Sequence, residues 1–147
     1  MPIPGDLLTT AMAVMPHTDV SRALDVALGL DMDILSLDVY LNGEIFSAYA
    51  GAIRKFLDRG GIIVWGIVSA NVEPFEQENI DTLEKRLINL WEVLDSKGID
   101  REFLLSRSLI SPATCCLVNP DGEATVEKAF NVVNNLSARL REKDRLM

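Results

Sequence analysis

The chain has 147 residues, 48% hydrophobic and 24% charged, a composition suited to one globular domain with a buried core and unlike a disordered segment. A formal charge of -8 argues against a nucleic-acid partner, because phosphate binding draws its affinity from clustered Lys and Arg. The first basic residue is Arg22 and the apolar run Ile62 to Val68 is too short to span a bilayer, so the expectation is a cytoplasmic protein with no signal peptide and no membrane partner.

The elements alternate strand and helix. Thr9 to Met15 is a short apolar run closed by Pro16, and Thr18 is placed to cap a helix from Asp19 to about Leu28, which Gly29 ends. Asp33 to Tyr40 carries Ile34, Leu35, Leu37 and Val39, apolar on both pleat faces, and predicts a parallel strand covered on both sides. After Asn42-Gly43, the residues Ile45, Tyr49, Ile53, Phe56 and Leu57 recur at helical spacing up to Arg59, and Gly60-Gly61 breaks the helix. Ile62 to Val68 reads as the third strand.

Ser69 to Glu78 is polar, contains one proline and predicts the longest irregular loop. Ile80, Leu83, Leu87, Leu90, Trp91 and Leu94 then form one helical stripe that Gly98 stops. A helical turn from Asp100 to about Arg107 precedes strand four, Ser108 to Ser111. The last helix starts near Glu123 with Val126, Ala129, Phe130, Val133, Leu136 and Leu140 on one face, acid at its start and base at its end, as the helix dipole favours. No linker or low-complexity tract interrupts the chain, which reads as a single domain over residues 1–147.

Four such units make an α/β protein with parallel strands and right-handed crossovers, either an open sheet with helices on both faces or a segment of a barrel with helices on one. A barrel segment leaves two sheet edges and an apolar inner face to be covered. Complete barrels of this kind use about 250 residues, so two copies of the chain supply the required polypeptide. The expected fold is therefore four βα units forming a half TIM-type barrel, completed by homodimerisation, with the open sheet as the alternative.

The run Thr9-Thr10-Ala11-Met12-Ala13-Val14-Met15-Pro16-His17 resembles the first strand and loop of the cobalamin-independent methionine synthase and uroporphyrinogen decarboxylase-like barrels. Asp33-Ile34-Leu35-Ser36-Leu37-Asp38, Gly60-Gly61-Ile62-Ile63-Val64-Trp65-Gly66-Ile67-Val68 and Pro112-Ala113-Thr114-Cys115-Cys116-Leu117 resemble parts of their last three units. The resemblance covers nearly the whole chain in two blocks and leaves out the middle of the barrel, between about Leu30 and Asp33. Since the last strand of a closed barrel lies beside the first, the retained units would be neighbours.

The resemblance implies methyltransferases that hold a zinc ion to activate a thiol, with a His-x-Cys pair, an acidic residue and a late cysteine as ligands. The late cysteine corresponds to Cys115, Cys116 stands where a glycine is expected, Asp38 falls at the acidic position, and the His-x-Cys pair has no counterpart. His17, the lone histidine, sits in a different loop.

On the residues themselves, Cys115 and Cys116 follow a strand end where barrel sites lie, and are either metal or thiol groups or small buried hydrophobes. Asp38 either binds substrate or metal or caps the next turn, and His17 is a ligand, an acid-base group or an exposed loop residue. Trp65 and Trp91 read as core, and Gly60-Gly61 as a helix stop without the pattern of a phosphate loop.

Two functions follow as expectations. One is a shortened relative of zinc-dependent methyltransferases, binding metal or a thiol at the mouth of a homodimer. The other is a non-catalytic accessory or ligand-binding subunit whose partner is a corrinoid protein or a full-length relative. The first loop lacks the arginines that a porphyrinogen would require, which argues against decarboxylation.

Overall fold

The computed structural model describes residues 11–14, 20–70, 72–113 and 120–146. Four strands, β1 (Ala11–Val14), β2 (Ile34–Asp38), β3 (Ile62–Val68) and β4 (Ser108–Pro112), form one sheet in the order β1-β2-β3-β4, with every pair parallel. The intervening and following helices are α1 (Val20–Gly29), α2 (Val39–Ser47), α3 (Ala50–Asp58), α4 (Val72–Glu76), α5 (Ile80–Ser96), α6 (Arg101–Ser106) and α7 (Ala124–Leu146). Among the described residues no helix is long and apolar enough to cross a membrane.

Strand order equal to chain order has a geometric consequence. Right-handed crossovers that always step to the same side place every helix on the same face. The packing agrees: α1 touches α2 and α3, α2 touches α5, and α5 touches α7, a continuous helical layer over the sheet. Residues facing that layer, Leu35 and Leu37 of β2 and Ile63, Trp65 and Ile67 of β3, are buried. On the opposite face Ile34, Ser36, Ile62 and Val64 are only half-buried, and Leu109 of β4 is 50% exposed. The expectation that β2 is covered on both sides is therefore met only in part among the described residues, since Ile34 and Ser36 are half-buried and Asp38 alone of the β2 residues on that face is buried.

The core between sheet and helices centres on Trp65. Phe46 of α2 meets it edge-on at 5.2 Å between ring centroids and Trp91 of α5 at 6.1 Å; such pairs contribute about 0.5–1.5 kcal/mol beyond burial. The indole N–H of Trp65 donates to Ser108 Oγ at 2.8 Å, and that hydroxyl donates to Leu104 O at 2.6 Å, tying α6 to the start of β4. Both tryptophans are core residues, as their apolar surroundings in sequence imply.

Several boundaries differ from those read in sequence. Val39 and Tyr40 begin α2 and do not extend β2, so the strand passes directly into a helix. Asn42 sits at a kink inside α2 (φ -118, ψ 18), and the helix breaks at Ala48-Tyr49, giving two helices where one was expected. The loop after β3 contains the short helix α4. Phe130, expected on the buried stripe of α7, is 53% exposed, whereas Thr125 is buried. Gly60 and Gly98 stop their helices with φ of 96° and 101°, a region open to glycine at little cost. Arg59 reaches back to the carbonyls of Leu28 (3.2 Å) and Leu30, satisfying the frayed end of α1.

The last helix is held by charge. Glu84 of α5, its side chain 7% exposed, forms ion pairs with Arg139 (2.7 Å) and Lys143 of α7, while Arg139 also reaches Asp81 at 2.7 Å. The two cations are half-exposed, so they remain hydrated without Glu84, but Glu84 is costly without them. Replacing Arg139 and Lys143 together by methionine is expected to lower stability by about 2–4 kcal/mol in urea denaturation, while Glu84→Leu costs under about 1 kcal/mol.

Candidate functional site

Ligands of parallel α/β folds collect at the carboxyl ends of the strands, and that end of this sheet is built closely. The register aligns Asp38 of β2, Gly66 of β3 and Ser111 of β4 in one row. By strand alternation the row lies on the half-covered face, in line with Ser36, Val64 and Leu109 one pair below. Asp38 is 6% exposed and Ser69, just past β3, is 3% exposed; neither lacks a partner.

Gly66 shapes the row. A Cβ there would lie 2.7 Å from Leu37 O and 2.9 Å from Ala113 Cα, so the missing side chain is what lets the end of β4 cross against β3. The crossing is secured by Ala113 N–H donating to Val68 O at 2.7 Å. The register slips here: Gly66 faces Ser111, Val68 faces Pro112, and Ile67 is the extra residue of a bulge.

Beside this row is a polar cluster drawn from two helices. Tyr40, in the first turn of α2, donates from its hydroxyl to Glu78 Oε1 at 3.1 Å. Arg86 of α5 holds the same carboxylate at 2.8 Å and lies 4.7 Å above the Tyr40 ring, and Thr82 Oγ1 donates to Glu78 Oε2 at 2.5 Å. Burial alone would raise the Glu78 carboxyl, but donation by Thr82 and Tyr40 and the charge of Arg86 outweigh it and hold the group below its ordinary value. Burial, the bond to Glu78 and the charges of Glu78 and Asp38 push the Tyr40 phenol up, against the opposing charge of Arg86, so the phenol stays a neutral donor. Asn79 caps α5 in a capping box with Thr82, fixing the helix start that carries these groups.

Tyr40 and Arg86 also line a groove of about 560 Å³ between α2 and α5, with Ile45, Leu90 and Val93. Since two cluster members face this groove, the cluster works as a clamp on the outside of the strand ends. It fixes the loop before α5 against the start of α2, two residues after Asp38.

Of the residues singled out in sequence, Asp38 is brought to the strand-end row, while His17, Cys115 and Cys116 lie outside the described residues. Among the described residues no group of three or more His, Cys, Asp or Glu side chains is gathered for a metal ion. Sequence reading passed over Gly66, Tyr40, Glu78 and Arg86. An isolated glycine inside an apolar strand is a legible sign of close backbone approach, but nothing local links Tyr40 to a glutamate 38 residues away. No family model, curated protein or solved structure matches the chain.

Two outcomes are expected. Gly66→Ala should cost about 1–3 kcal/mol in urea denaturation, because backbone and not a flexible side chain opposes the new methyl. Glu78, with its folded-state carboxyl held below the unfolded value, contributes stability that is complete above the unfolded value and lost as pH falls through the folded one. The stability gap between wild type and Glu78→Gln should therefore shrink between about pH 6 and about pH 3, read from denaturation midpoints across that range.

Proposed function

We propose that the chain is a half-barrel that closes with a second copy into an eight-stranded barrel whose mouth binds a thiol or a metal-thiol ligand. The observation that carries this reading is the combination of a parallel sheet in strict chain order with an opposite face that bears Ile34, Ile62, Val64 and Leu109 and is incompletely covered. A closed barrel fills its interior with side chains from every strand, and Ile34, Ile62, Val64 and Leu109 are suited to that filling. The edges β1 and β4 have no further neighbours among the described residues, and two copies related by a twofold axis would pair each β4 with the other copy's β1.

At the mouth, Asp38 belongs to the zinc set that the resemblance implies. Its near-complete burial at a strand end, level with Gly66 and Ser111, is compatible with a ligand position, and Cys115 and Cys116 follow β4 by a few residues. These three, with His17, would hold the ion. A zinc ion there would lower the pKa of a bound thiol and favour its nucleophilic thiolate. Asp38 in that role acts as an anionic ligand, while the Tyr40–Glu78–Arg86 clamp fixes the chain that follows it. The methyltransferase reading extends this binding role and rests on the resemblance.

Size-exclusion chromatography with light scattering should give a dimer at micromolar concentration, and Leu109→Lys, on the half-covered face, should shift it to monomer with its circular dichroism retained. A wild-type monomer overturns the closed barrel. Protein purified without chelators should carry stoichiometric zinc, and Asp38→Asn should weaken zinc binding by about tenfold or more. Metal-free protein that also fails to take up added zinc overturns the metal reading.

A further inference from the structure

The two ends of the helical layer carry apolar side chains that the single chain leaves in solvent. At one end is α1, where Val26 is 58% exposed and Leu30, just past the last turn, 43%. At the other end is α7, with Phe130 more than half exposed. The remaining exposed large apolar side chains among the described residues lie elsewhere: Leu109 on the half-covered sheet face, Ile45 and Val93 in the groove between α2 and α5.

The direction of Phe130 follows from helical geometry. Arg139 and Lys143, nine and thirteen residues further along α7, both reach Glu84 of α5. At about 100° per residue they lie about 180° and about 140° around the helix from Phe130. Phe130 therefore stands on the flank of α7 turned away from α5, beside the half-buried Val126 and Val133. Val26 and Leu30 are four residues apart and share one side of α1, while α2 and α3 pack on that helix from within the chain.

We propose that these two flanks form a seam between copies of the chain, with Phe130 of one protomer packed against Val26 and Leu30 of its partner, twice about the twofold axis. The inference rests on the closed-barrel reading and adds a contact outside the barrel wall to the strand pairing within it. Each helix lies over its own strands, so a partner's β1 laid along β4 brings the partner's α1 to the free side of α7. The helical layer then continues from α7 into the next α1 without an open end. Val126, Phe130 and Val133 carry no charge, nor do Val26 and Leu30, so these side chains bury no unpaired ion on meeting. A second copy is favoured over an unrelated partner because it presents both halves of the seam at the spacing that strand pairing imposes.

Sedimentation equilibrium of the full chain tests the seam. Val26 and Phe130 are mostly exposed and sit at opposite ends of the layer, so single substitutions should leave the fold intact and the two positions can meet only between chains. Phe130→Lys and Val26→Glu should each raise the dimer dissociation constant by about tenfold or more, and the double variant should recover about half of that loss on a logarithmic scale, since opposite charges then face each other. Circular dichroism checks the fold of each variant; if Val26→Glu disturbs α1, Leu30→Glu, just outside the helix, takes its place. A wild-type dimer that Leu109→Lys dissociates, but that Phe130→Lys and Val26→Glu leave unchanged, overturns the seam and leaves the barrel standing. A wild-type monomer overturns both. Weakening by the single variants without recovery in the double overturns the direct contact of Phe130 with Val26.

Discussion

The constraint on which the structure depends is the handedness of the crossover between parallel strands. Once four strands follow one another in chain order, each right-handed connection delivers its helix to the same side of the sheet. The core is then one-sided: Leu35, Leu37, Ile63, Trp65 and Ile67 disappear beneath helices, while Ile34, Ile62, Val64 and Leu109 remain in part accessible. An open doubly wound sheet would have reversed its strand order part-way and put helices on both faces. The half-covered face and the unpaired sheet edges among the described residues have this one origin, and the proposed second copy would relieve both.

The strand ends obey a different constraint, close approach of backbone. Gly66 has no side chain, β4 crosses where a Cβ would be, and the bulge at Ile67 absorbs the resulting mismatch. Asp38 is held in register with that crossing and is followed at once by α2, whose first turn is pinned through Tyr40 to Glu78 and Arg86. A buried carboxylate between a rigid crossing and a pinned helix has little freedom to reorient. That fixity is what a ligand position requires, since a site loosely held by its surroundings loses most of its affinity.

Legibility in the sequence followed the strength of local signals. β3 was readable from end to end because Gly60-Gly61 and the polar stretch from Ser69 bracket a continuous apolar run. α5 was equally plain, with a single stripe and Gly98 beyond its end, while its Asn79 cap emerged only in the structure. The join of β2 and α2 was not, because Val39 and Tyr40 favour strands by propensity and no turn residue separates the elements; tertiary packing decides there. α4 spans five residues, too few for a helical period to show. Phe130 fits the α7 stripe by spacing, but α7 meets few other elements on that side and leaves the ring in solvent. Of the candidate site, Asp38 was reachable by the rule that strand ends carry function, whereas the Tyr40 clamp is a contact between distant parts of the chain that local patterns do not encode.

The manner in which α7 is attached has a bearing on how the molecule comes apart. Among its described side chains only Thr125, Ala129 and Leu136 are buried, and ion pairs join it to α5, so its seat is sparser in apolar contact than the helices around Trp65. Regions with sparse apolar contact open at lower free energy than the core. Among the described residues the final helix is thus a soft segment, and its amide protons should exchange with solvent ahead of those in β2 and β3. Because Arg139 and Asp81 pair near the surface, added salt loosens this segment selectively, making ionic strength a handle on one end of the protein that leaves the aromatic centre untouched.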